Sequence, residues 1–262
     1  MLTPATHALR RQRNLILASL LILATAAWAL LVWQATRSDS EAAMSPTMGM
    51  GAALWLAIWV AMMVAVMFPT AAPMILMFAH VHAAKQQRQQ PFVPTWVFVS
   101  AYLLVWAVAG VLAYAAAVAG EALASQSMWV MVNAGRLGGG ILILAGLYQL
   151  SPLKHLCLAK CRSPLAFIMR SWRDGYGGAF RMGLEHGAYC LGCCWLLFVI
   201  LFPLGMLNIA AMAAITLLIF AEKSLPLGPR VGVVGAAFLV GYGVLAVFVP
   251  EVLPTMLPDQ GM

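Results

Sequence analysis

Seven apolar runs of about 20 residues, each able to cross a hydrocarbon core of roughly 30 Å as an α-helix, constrain this chain more than any other feature. They leave charged residues at 9 %, far below the quarter share usual in a soluble domain. The expected fold is all-α: a polytopic integral membrane helical bundle of about seven transmembrane helices. The runs lie near 15–33, 52–78, 94–119, 130–150, 181–203, 207–221 and 231–249. Residues 1–50 read as an N-terminal anchor helix with an external, Met-containing linker. Residues 51–262 read as a six-helix membrane domain with a cytoplasmic, Cys-containing loop at about 151–178. No convincing small-residue cleavage site follows the first run, so it is expected to remain as an anchor.

The formal net charge of +7 is mainly a topology signal. With seven spans, thirteen of the fifteen Lys and Arg fall on the side of the N-terminus: Arg10, Arg11, Arg13, Lys85, Arg88, Lys154, Lys160, Arg162, Arg170, Arg173, Arg181, Lys223 and Arg230. Only Arg37 and Arg136 lie opposite. The positive-inside rule then puts the N-terminus in the cytoplasm and the C-terminus outside. The lipid bilayer is the partner this charge implies, and no nucleic acid is needed to explain it.

Chemistry concentrates in RMGLEHGAYCLGCCW, Arg181 to Trp195. On one helix at about 100° per residue, Met182, His186, Cys190 and Cys193 fall within an arc of roughly 80°, with Cys194 just beyond. This is a stripe of soft and borderline metal ligands. Glu185 points away from it and can pair with Arg181 one turn earlier. Gly183 and Gly187 form a small-xxx-small pair that lets another helix approach. Each thiol alone reads better as a small apolar filler, but an imidazole and three thiols together point to metal or redox chemistry. Five cysteines, an odd number with three inside a span, do not suit a secreted disulfide framework.

Three other groups carry possible ligands. In the second span, Met63, Met67 and Met74 share a face, and Pro69 and Pro73 are expected to bend and break the helix there. In SPLKHLCLAKCRSP, Cys157 and Cys161 are four apart, on one face if helical, and form a cytoplasmic pair that stays reduced. Ahead of the second span, Met44, Met48 and Met50 are thioethers suited to Cu(I) outside the cell. His80 and His82 are expected to be solvated at the interface. Glu222 and Lys223 are expected to pair locally or snorkel. A short surface helix is expected near 165–172.

The series MMVAVMFPTAAPM, YQLSPLKHLCLAKCRSP, GLEHGAYCLGCCW and AEKSLPLGPR resembles a bacterial family of predicted metal-binding integral membrane proteins, a domain of unknown function sometimes labelled copper chaperone. The resemblance covers roughly residues 52–249. It points at Met63, Met67, Cys157, Cys161, His186, Cys190, Cys193, Cys194, Glu222 and Lys223. Val66 departs from it, standing where a further methionine is expected.

The residues and the resemblance together lead us to expect a protein of the bacterial cytoplasmic (inner) membrane that binds a metal ion and chaperones or transfers it. Its expected ligands are His186, Cys190, Cys193, Cys194, Cys157, Cys161, Met63 and Met67. Cu(I) is the expected metal because thiolates with an imidazole or thioether suit it; zinc is the second choice, since it prefers a fourth ligand. A metal-donating or metal-accepting protein is the expected partner. The alternatives are a transmembrane thiol-disulfide oxidoreductase and a metal-dependent membrane enzyme.

Overall fold

The computed structural model describes residues 4–37, 45–87 and 89–256, and every regular element among them is helical. Met44 and Arg88, and the linker residues Asp39 and Glu41, lie outside the described residues. The helices are α1 (Pro4–Ala35), α2 (Ala52–Gln87), α3 (Thr95–Gln126), α4 (Met128–Val132), α5 (Ala134–Gln149), α6 (Pro152–Arg162), α7 (Pro164–Ser171), α8 (Gly175–Val199), α9 (Leu201–Leu204), α10 (Ile209–Ser224) and α11 (Gly228–Phe248).

Local chemistry sets several of these boundaries. Ser151 accepts a hydrogen bond from the Lys154 amide at 3.2 Å and Pro152 opens α6, a capped start with proline in the first turn. Asn208 caps α10 by accepting from the Ala211 amide at 3.0 Å. Gly205, at φ 93, takes the left-handed turn that ends α9.

The all-α membrane bundle is as the sequence implies, but the tally of spans differs. Five helices among the described residues are long and apolar enough to cross a membrane, and a sixth span results if α5 and α6 are joined across their 62° bend. The other expected span, α10, has 16 residues, about 24 Å of helix, short of the roughly 30 Å core. The expected break in the second span is also absent: α2 runs unbroken through Pro69 and Pro73. Proline there removes amide donors, but the surrounding bundle supports the helix, and the Thr70 hydroxyl donates to the Met67 carbonyl at 3.0 Å.

Helices α2 and α8 form the centre. Half of the most apolar window of each is buried, against 22 % in α1, which leaves most of its surface to lipid. Helix α3 packs on α8 through the expected glycine pair. A Cβ on Gly183 would sit 2.7 Å from Ala101 Cβ, and one on Gly187 would sit 2.8 Å from Val105 Cγ2, so only glycine permits this approach. Helices α5 and α11 meet the same way, with Gly139 against Val247 and Gly243.

Polar clamps hold both ends of the bundle. At one, the Glu121 carboxylate accepts from the Thr47 amide and hydroxyl, both at 2.8 Å, fastening the segment before α2 to α3. At the other, Lys85 of α2 pairs with Asp174 just before α8, and Trp172 Nε1 donates to the same carboxylate at 3.2 Å. His82 belongs to this clamp and is buried, not solvated as expected: its Nδ1 accepts from the Val93 amide at 3.1 Å and its ring stacks on Trp172. His80 is exposed.

Candidate metal centre

Helix α8 carries the stripe as expected, with Met182, His186, Cys190, Cys193 and Cys194 all buried. Glu185 faces out, 3.3 Å from Arg181 and 3.8 Å from Arg173.

Cys190 is the hub. Its sulfur lies 3.2 Å from the Tyr102 hydroxyl on α3, 3.7 Å from Met67 Sδ on α2 and 3.1 Å from the Lys223 ammonium on α10. Lys223 also lies 3.9 Å from Met67 Sδ. The Cys193 and Cys194 sulfurs are 3.1 Å apart, and Cys193 donates to the Cys190 carbonyl at 3.2 Å. Cys161 on α6 lies beside Cys190 and Cys193. Four helices around α8 thus each send one side chain to a single sulfur or its neighbour.

Two expectations change here. Cys157 and Cys161 do not form a separate cytoplasmic station: α6 turns into the bundle, Cys161 joins the α8 thiols, and Cys157 packs on Gly192, where a Cβ would sit 2.8 Å from its sulfur. The cause is a buried polar anchor that hydrophobic pattern alone does not reveal. Lys154 of α6 and Glu222 of α10 form an ion pair at 2.7 Å with both side chains almost wholly buried, and Gln149 donates to the same carboxylate at 2.9 Å. Arg162 reinforces it by donating to the Glu222 carbonyl at 2.6 Å and the Leu225 carbonyl at 2.9 Å. Glu222 and Lys223 accordingly neither pair with each other nor snorkel; they face different partners.

His186 sits one turn before Cys190, in a box of Phe98, Tyr102 and Phe167, with ring centroids 5.9, 5.4 and 5.6 Å away. Both its ring nitrogens are buried without a hydrogen-bond partner. An imidazole stripped of water in this way has unused ligand capacity. Tyr102 touches both groups, its ring against His186 and its hydroxyl against Cys190. Met63 is buried one turn before Met67 in the core of α2. Met48 is buried and Met50 half-buried near the other end of the bundle.

No group of three or more His, Cys, Asp or Glu among the described residues is arranged to hold a metal ion as it stands. The donors are gathered but not opened: the Lys223 ammonium stands against the Cys190 sulfur, and His186 is enclosed by rings. The donor set is nonetheless soft, being thiols and a thioether with an unpartnered imidazole nearby. Sequence reasoning missed Tyr102, Phe167, Lys154 and the placement of Lys223. A lysine directly after the predicted sixth run was the one available signal.

Fold and site together define a polytopic α-helical membrane protein with a buried, thiol-lined centre. The profile of the PpoB2 family, described as copper chaperone, matches residues 56–246, and the chain belongs to that family. No curated protein and no solved structure matches it.

Proposed function

We propose that the protein binds Cu(I) as cargo at the α8 stripe and hands it on to a partner, serving as a copper chaperone in the bacterial cytoplasmic membrane. The convergence of Met67, Cys161, Cys190 and Cys193 beside the Lys223 ammonium carries this reading.

Charge decides the form of the complex. One Cu(I) with two thiolates carries a net charge of −1, which is costly in a buried site. The Lys223 ammonium brings the sum to zero. Cys190 and Cys193 supply the thiolates, Met67 a neutral thioether, and His186 an imidazole one turn away. Cys161 offers a further thiol from a different helix, so cargo can pass between α8 and α6 by ligand exchange without leaving the bundle. Cys157, Cys194 and Met63 lie next to this set and have supporting places in it.

Copper measured by mass spectrometry on detergent-purified protein, after loading with Cu(I) and desalting, tests the reading. Wild type retains copper and a His186→Ala/Cys190→Ala/Cys193→Ala variant does not. A wild type that cannot be loaded overturns the proposal.

One observation favours a second reading, thiol-disulfide exchange. The Cys193 and Cys194 sulfurs are 3.1 Å apart and Cys161 reaches the same cluster. Alkylation of the protein trapped in cells separates the two readings, because a relay requires a fraction of disulfide-bonded chain.

A further inference from the structure

A cavity of about 200 Å³ lies among α6, α7 and α8. Its donors are Lys160, Ser163, Arg170, Ser171 and the Tyr189 hydroxyl, and no carboxylate lines it. Among the described residues, none of these five side chains makes a hydrogen bond or ion pair to the protein. The acids nearest in sequence are committed elsewhere, Glu185 to Arg181 and Arg173, and Asp174 to Lys85. Two cations and three hydroxyl-bearing residues therefore line one cavity with no protein group to neutralise or accept from them.

We propose that this cavity binds the phosphate of an anionic phospholipid headgroup. A phosphate offers several acceptor oxygens on one centre, which suits an Arg fork, an ammonium and hydroxyl donors from three helices. The volume is below the roughly 300 Å³ at which pockets for drug-sized ligands begin, and it fits a headgroup better than a larger organic anion. The surroundings select a lipid over a free phosphate. Leu156 of α6 and Leu165 and Met169 of α7 are exposed by 69 %, 57 % and 73 % beside the cavity. Such apolar residues, alternating with Lys160 and Arg170 on short helices, place α6 and α7 at the boundary of headgroups and acyl chains.

The position gives the lipid an effect on the buried centre. Phe167 forms one wall of the cavity, and its ring meets His186 edge-on at 5.6 Å and Tyr189 at 6.3 Å. Lys160 precedes Cys161 in the chain. A headgroup held between Lys160 and Arg170 pins α6 to α7 and so keeps Cys161 against α8. This inference stands on the cavity and its donors, independently of which cargo the thiols bind.

Lipid mass spectrometry on the full chain, purified in mild detergent and washed, tests it. Wild type retains anionic phospholipid. Lys160→Gln/Arg170→Gln loses it at least severalfold, whereas Lys160→Arg/Arg170→Lys and an Arg10→Gln/Arg11→Gln control on α1 keep it. A second measurement needs no variant. In phosphatidylcholine vesicles, adding phosphatidylglycerol protects the Lys160 amine from acylation severalfold more than that of Lys85, and inorganic phosphate gives no such protection. Equal lipid retention by wild type and Lys160→Gln/Arg170→Gln overturns the proposal. So does equal protection of the two lysines, and protection by inorganic phosphate overturns the lipid source.

Discussion

Lys223 Nζ lies 3.1 Å from Cys190 Sγ, and this contact joins a residue from the end of α10 to the middle of the α8 stripe. It places a fixed positive charge where two thiolates and a monovalent metal ion would otherwise leave an excess negative charge.

Replacing Lys223 by Met removes that charge and keeps much of the volume. Folding is expected to change little because Met fills most of the space of the lysine, while the negatively charged copper complex loses its counter-ion. Cu(I) affinity is expected to fall at least about tenfold, equivalent to roughly 1.4 kcal/mol, with Lys223→Arg intermediate. Competition against a Cu(I) chelator measures this. An unchanged affinity in Lys223→Met would show that the ammonium plays no part in holding cargo.

The Lys154–Glu222 pair is a different matter, because neither partner can reach water. Removing one side leaves an unpaired buried charge, at a cost of about 3–5 kcal/mol. Lys154→Met and Glu222→Gln are each expected to lower the unfolding midpoint in detergent strongly. The double variant is expected to lose much less than the sum, and a strictly additive double-mutant cycle would rule out the pairing.

Gly183 and Gly187 set the distance between α3 and α8, and through it the contact of Tyr102 with Cys190. A methyl group at Gly187 meets Val105 and must displace it. Overpacking of this kind costs roughly 1–3 kcal/mol. Gly187→Ala is expected to fold with reduced stability and weakened copper binding, and Gly187→Leu to give no monodisperse protein. Size-exclusion elution and copper content read both.

How much of this was legible beforehand follows the range of the interactions. The all-helical membrane fold, the Arg181–Glu185 pair, the buried stripe on α8, the glycine seam and the short helix α7 depend on spacing within one segment, and spacing is visible in a sequence. The Tyr102–Cys190 and Lys154–Glu222 contacts join residues 88 and 68 apart, so no local pattern encodes them. Lys223 looked like a snorkelling residue because its position near a helix end is compatible with that, and only the packing of α10 against α8 turns it inward. Pro69 and Pro73 misled in the opposite direction: a local rule predicts a break that the tertiary environment suppresses.

The clamp between α2 and α8 predicts a pH dependence of known sign. The hydrogen bond from Lys85, and then that from Trp172, hold the Asp174 carboxyl below its ordinary value of 3.8. A lowered folded-state value means the contribution is fully present above the unfolded value and is lost as pH falls through the folded one. Hydrogen exchange across residues 172–176 is expected to stay constant from neutral pH down to about 4, after correction for intrinsic rates, and to rise only in more acid solution. Asp174→Asn removes that step. A transition nearer pH 6 would assign control of the clamp to another group.

X-ray absorption at the copper edge of Cu(I)-loaded protein tests the central claim most directly, because it reports the atoms bound to the metal. A first shell made mainly of sulfur is predicted for wild type, with fewer sulfur neighbours in Cys190→Ser and little change in Arg136→Gln, whose side chain bonds Asn133 and no residue of the stripe. A first shell of nitrogen and oxygen, or a spectrum of Cys190→Ser identical to wild type, would contradict a copper centre built on Cys190.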